Sequence, residues 1–231
     1  GVNQNSSATE QQGIVWLKNS NTSNISSELQ AIYEKEVTLG LYSQTNNNIN
    51  IDELLNDEQS TEALVRATIL LKIQQKPTDQ IINKVLSYQN KDGGFGHLAD
   101  WQSNPLDTAW VLLALKQVNS SDTTKISKAL EYLASQQRAT GSFQVVSLDE
   151  YYVTAYALTA LTAYLKAYPQ YNAVALKTVN YLESKQLSAG SWAESSEQLF
   201  LDALLNEALH PYRGIDSPAH SAFKTKVLEK Q

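Results

Sequence analysis

The chain has 231 residues, enough for one large domain or a single repeat array. A hydrophobic fraction of 42% suits a soluble globular protein, and a formal charge of −6 with a pI near 5.1 argues against a nucleic-acid or anionic-membrane surface, both of which want a basic face. There is no cysteine, so disulfides, thiolate zinc sites, thioesters and cysteine nucleophiles are excluded, and no apolar run is long enough for a membrane-spanning helix.

Residues 1–10 are polar and aperiodic and read as a loose arm. Residues 11–231 read as one repeat domain with an insertion at about 19–60. Within it, Gly13 to Lys18 reads as the end of a degenerate outer helix, 28–38 as a short helix, and Asn46-Asn47-Asn48 as a turn-rich stretch. Ala63, Leu64, Ala67, Leu70, Leu71 and Gln74 recur at helical spacing, which predicts a helix over 61–75 ended by Pro77, with Thr78 or Asp79 as the next cap. Outer helices are then expected at about 79–89, 125–136 and 173–185, and inner helices at about 107–118, 151–167 and 196–209. A last helix is expected at about 217–229, after Ser217-Pro218.

The two helix classes differ in pattern. Ile126, Ala129, Leu130 and Leu133 make one apolar stripe, backed by Lys125, Lys128 and Glu131, as a surface helix does. The segments Thr108–Leu115 and Thr154–Leu161 are apolar all round and rich in alanine, so they need cover on most sides. Alternation of the two classes calls for two concentric layers of antiparallel helices. No segment has the period of a strand, although Phe143 to Val146 allows a brief extended stretch.

One phrase recurs three times after the outer helices: Gln89…Gly93-Gly94-Phe95, Gln137…Gly141-Ser142-Phe143 and Gln186…Gly190-Ser191-Trp192. The aromatic returns after 48 and then 49 residues, a period that marks stacked supersecondary units. The glycines are expected to accept the left-handed conformation past a helix end. The glutamines are expected to bond orphan carbonyls of their helix or to bridge to the neighbouring loop. The aromatics are expected to plug the gap between repeats.

Over about residues 61–209 this phrase resembles the QW motif of the terpenoid-cyclase and protein prenyltransferase superfamily of α/α toroids. The segment Asn104 to Leu115 likewise looks like the inner helix that follows such a motif. The resemblance implies an all-α, α/α toroid fold, incomplete or open, with about four outer–inner pairs. It carries over no activity. The Asp-X-Asp-Asp acid of the cyclases and the Asp-Asp-X-X-Asp diphosphate motif are both missing. Zinc ligation as in the prenyltransferases, and the Cys-Gln thioester of the complement-like branch, need a cysteine that this chain lacks.

Several residues still merit two readings. Asp107 is expected as the N-cap of an inner helix, or else as a ligand or metal contact. His97, Asp100 and Trp101 share the loop before it and are either solvated or half of a polar site at the mouth of the toroid. Trp110, Tyr152, Tyr156 and Phe200 either pack the core or line an aromatic ligand groove. Gln198, Asp202 and Asn206 form a polar stripe that faces a central cavity or is exposed at the end of the array. Asp149-Glu150 are adjacent in sequence only, and Glu194 and Glu197 suit a helix N-terminus. The sequons at Asn5, Asn21, Asn24 and Asn119 are expected to be chance, and His210 and His220 receive no role.

The expected function is a non-catalytic module that holds a small molecule or a protein segment, without cofactor, metal or nucleic acid. The missing initiator methionine suggests a processed or excised chain, and export to the periplasm or cell surface is expected, with a cytoplasmic location left open. The alternative is an enzyme, either terpenoid-cyclase-like or a polysaccharide lyase or hydrolase on an α/α barrel. A cobalamin-type carrier is a third reading. Cavity shape separates them: a deep apolar cavity with one acid for isoprenoids, an open groove with an aromatic platform and carboxylates for carbohydrate, a shallow filled centre for neither.

Overall fold

The computed structural model describes residues 55–56, 59–187, 191–192 and 199–213, the side chains of 199 and 200 excepted. The arm at 1–10, the segments at 13–18 and 28–38, most of the 19–60 insertion, the helix at 217–229, and Gly190, Glu194, Glu197, Gln198 and His220 lie outside the described residues. Among the described residues there are seven α-helices and no strand: α1 (Thr61–Ile73), α2 (Asp79–Ser87), α3 (Pro105–Gln117), α4 (Thr123–Ser135), α5 (Glu150–Tyr164), α6 (Asn172–Lys185) and α7 (Leu199–Arg213). The all-α expectation holds, and Phe143 to Val146 forms no strand.

Helices α1, α3, α5 and α7 pack side by side as an inner layer, and α2, α4 and α6 cover them from outside. The sequence explains this partition. In α5, Val153, Ala155, Ala157, Leu158, Ala160 and Leu161 are fully buried and point to nearly every side of the helix. Its alanines let neighbouring helices come close. In α4 only one side is buried, along Ile126, Ala129, Leu130, Tyr132 and Leu133, while Lys128 and Glu131 are exposed. Polar ties join the inner helices: Tyr164 donates from α5 to the Leu112 carbonyl of α3 at 2.9 Å, and the Thr162 and Tyr212 hydroxyls meet at 2.7 Å between α5 and α7.

Helix starts follow short-range chemistry. Ser60, Asn104, Asp122 and Asp149 each accept a backbone N–H of the first turn. Thr78 stands at the N-cap of α2 but makes no such bond. Asp107 is not the cap of α3, contrary to expectation. The helix begins two residues earlier, because Asn104 caps it and Pro105, which has no N–H to satisfy, suits the first turn.

Candidate functional site

The three repeated phrases form corners that carry the chain from an outer helix to the next inner one. The same backbone bond closes each: Asn90 N–H to Gly94 O at 2.9 Å, Arg138 N–H to Ser142 O at 2.9 Å, and Leu187 N–H to Ser191 O at 2.8 Å. The glycines do not cap the preceding helix. α2 ends at Ser87, and Gly93 turns the corner with φ +88, as Gly141 does with φ +102. Each also lies against the next outer helix, where a Cβ would stand 2.5 Å from the carbonyl oxygen of Lys128 or Lys177. Position and packing both demand glycine there.

Two of the glutamines, Gln89 and Gln137, bridge repeats. Gln89 Nε2 donates to Gly93 O and to Lys125 O of α4, both at 2.9 Å. Gln137 Nε2 donates to Val174 O and Thr178 Oγ1 of α6, both at 2.8 Å. Their partners are the next outer helix and the corner itself, rather than the orphan carbonyls of their own helix. Phe95, Phe143 and Trp192 are buried, as plugs should be.

Sequence reasoning missed what hangs each aromatic on the inner layer. The N–H of Phe95 donates to Thr108 Oγ1 of α3, and that of Phe143 to Thr154 Oγ1 of α5, both at 3.0 Å. At the third corner the acceptor is a carboxylate: Trp192 N–H donates to Asp202 Oδ1 at 3.0 Å and Ser191 Oγ to Asp202 Oδ2 at 2.8 Å. Asp202 is fully buried and Asn206, also buried, donates to its carbonyl at 2.8 Å. The expected polar stripe on α7 is therefore neither at a cavity nor exposed at these two residues. Asp202 holds a corner and is withdrawn from the ligand set.

Asp107 is 4% exposed. Asn104 Nδ2 donates to its Oδ2, whereas Oδ1 has no hydrogen-bond partner among the described residues. Burial pushes this carboxyl above its ordinary value, Asn104 and the charge of His97 pull it down, and Glu62 adds to the rise. Among the described residues no group of three acidic or histidine side chains is arranged to hold a metal.

Trp110, Tyr152 and Tyr156 do come together. Trp110 and Tyr156 meet edge to face at 5.8 Å between ring centroids, and Tyr152 and Tyr156 at 5.0 Å. Burial pushes the Tyr156 phenol up, and its neighbour Tyr152 adds to that. Beside them, Arg66 Nε donates to Glu62 Oε1 at 2.9 Å, and the space left is about 50 Å³, lined also by Val65, Ile69 and Leu113. That is far below the few hundred Å³ of a usual ligand pocket. Among the described residues this aromatic face lies beside the Arg66–Glu62 ion pair, with only that small space between them. The side chain of Phe200 lies outside the described residues.

The loop before α3 differs. Trp101 is 56% exposed beside an open groove of about 580 Å³, with Asp92 and Asp100 in its walls. The loop before α5 exposes Val146 and Leu148. Both loops feed N-termini of the inner layer and so lie at one end, the mouth.

Two shells of antiparallel helices joined by such corners make an α/α toroid. A family model for the A-macroglobulin TED domain matches residues 42–210, most of the chain. The protein belongs to this family of thioester-containing domains, whose fold is an α/α toroid related to the terpenoid cyclases. No curated protein sequence matches the chain significantly. Domains of the family occur in extracellular proteins and either bind other proteins or attach to targets covalently.

Proposed function

We propose that this domain is a non-catalytic, non-covalent interaction module of an exported or cell-surface protein, holding a small molecule or protein segment at the mouth of the toroid. The observation that carries the reading is a TED-family chain without any cysteine, so that it cannot itself form a Cys-Gln thioester. The scaffold is nonetheless kept in detail, with three corners bonded alike. Retention of the toroid without the reactive thiol is what a binding surface, rather than a covalent trap, requires.

The test is reversible capture. The immobilised chain is exposed to a displayed peptide library and a glycan array, and intact-mass spectrometry follows each incubation. We expect a ligand that washes off, leaves the protein mass unchanged and is lost when mouth residues are replaced. A stable adduct, turnover of the bound molecule, or the absence of any ligand would each count against the module.

A further inference from the structure

The loop 96–104 holds a large apolar side chain in water and invests structure in doing so. Trp101 N–H donates to Leu98 O at 3.2 Å, and its carbonyl accepts from Asn90 Nδ2 at 2.7 Å. The same carbonyl closes against Gly96, where a Cβ would stand 2.4 Å from it. Asp100 turns the loop with φ +61, in the left-handed region that aspartate, like asparagine, tolerates. The backbone under the indole is thus clamped from three sides, while the side chain stays 56% exposed. Among the described residues its ring neighbour is His97, tilted by 58° with centroids 6.0 Å apart, which does not stack parallel on the indole.

The groove beside this platform is polar and directional. Asp92 Oδ1 accepts from Gly94 N–H at 2.9 Å and from Ser103 Oγ at 2.8 Å, which fixes the carboxylate and leaves Oδ2 as an acceptor. Asn90 is fixed likewise, through Nδ2 to Trp101 O and to Ser103 Oγ at 2.9 Å. Asp100 and Gln102 flank the indole in sequence with exposed side chains, and Lys91 completes the wall.

A purely apolar ligand would desolvate two carboxylates for no return. An anionic ligand would face Asp92 and Asp100, with Lys91 the one Lys or Arg among the described residues that line the groove. A sugar ring fits both halves, with a C–H face to lie on an indole and hydroxyl edges for fixed carboxylates and amides. The groove is open to solvent, so a ligand there would be held along one side and not enclosed.

We propose that the Trp101 groove binds a neutral or amino sugar, stacked on the indole, with Asp92, Asp100 and Gln102 taking its hydroxyls. The inference rests on the reading of the domain as a reversible binding module and names the ligand class. It is tested by titrating the chain with short oligosaccharides of glucose, galactose, glucosamine and N-acetylglucosamine, and with polygalacturonate, followed by calorimetry. The variants are Trp101→Ala, Trp101→Phe and Gln102→Ala. All are at exposed side chains, and an unchanged melting temperature verifies their folding.

The expected result is saturable binding of at least one neutral or amino oligosaccharide. Affinity should fall roughly tenfold in W101A, recover in large part in W101F, fall less in Q102A, and be absent for polygalacturonate. No binding of any of the neutral or amino sugars to the wild type, or equal binding by W101A, overturns the sugar assignment. So does preference for polygalacturonate. Should the sugars fail while a peptide ligand is still captured in a Trp101-dependent manner, the sugar assignment falls and the interaction module stands.

Discussion

At the first corner the N–H of Phe95 is accepted by a neutral hydroxyl, Thr108, and at the third corner that of Trp192 is accepted by a carboxylate, Asp202. Each of these two corners has one buried aspartate on its inner helix, but at different places. Asp202 stands at the hanging position itself, and Ser191 and Trp192 supply a donor to each of its oxygens. Asp107 stands one residue before the hanging position, so its side chain is turned by about 100° around the helix. There it receives only Asn104, and Oδ1 is left without a partner among the described residues. A buried carboxylate thus either builds a corner or strains beside one, depending on a single step along the chain.

The largest way to break the comparison is to remove the plugs. Phe143→Ala and Trp192→Ala should each cost about 3–5 kcal/mol, read by urea unfolding. Trp192 should stand at the top of that range, because its indole N–H also donates to Leu182 O at 2.8 Å, and truncation orphans that carbonyl. Equal, small losses would mean that the corners do not hold the layers together.

The next test separates the hooks. Asp202→Ala takes the carboxylate acceptor from two buried donors and should cost about 3 kcal/mol or more, whereas Thr154→Val removes one neutral hydroxyl, which accepts from the Phe143 N–H and donates to the Phe143 carbonyl, and should cost about 1–2 kcal/mol. Gly141→Ala probes the corner without touching either hook. The left-handed φ alone should cost about 1–3 kcal/mol, and the 2.5 Å approach to Lys177 O adds to it. If Gly141→Ala were neutral in thermal unfolding, the close contact with α6 would not be a constraint.

Much of the corner was legible in the sequence because its parts keep a fixed spacing. Glutamine, glycine and aromatic recur in register, and two of the inner helices, α3 and α5, declare themselves by being apolar all round. The hooks were not legible, because the loops between aromatic and inner helix differ in length. Thr108, Thr154 and Asp202 therefore fall out of step with the period and look like ordinary helix residues. Asp107 was misread as a cap because Asn104-Pro105 supplies an equally good start, and only the helix register decides between them. The exposure of Trp101 could not be foreseen, since it depends on how Asn90, far back in the corner, clamps the later loop. The missing cysteine ruled out the chemistry of the thioester branch, yet the chain belongs to the TED family. Scaffold and reactive group are separable, and sequence logic that tests the group says nothing about the scaffold.

The smallest and most diagnostic effect concerns Asp107. Burial raises its carboxyl above the ordinary value of 3.8, so the folded chain holds this proton more tightly than the unfolded chain. By linkage, its contribution to stability is fully present below 3.8 and is lost as pH rises through the raised folded value. Asp107→Asn removes the titration while keeping an oxygen for Asn104. The stability of D107N relative to the wild type should therefore climb as pH rises from about 3.8 through that window and level off above it. The opposing pulls of Asn104 and His97 limit the size of the climb. Urea midpoints taken at several pH values for both proteins measure it. A flat difference would mean that Asp107 is as well served as Asp202, and that the one-residue offset between the two corners carries no electrostatic consequence.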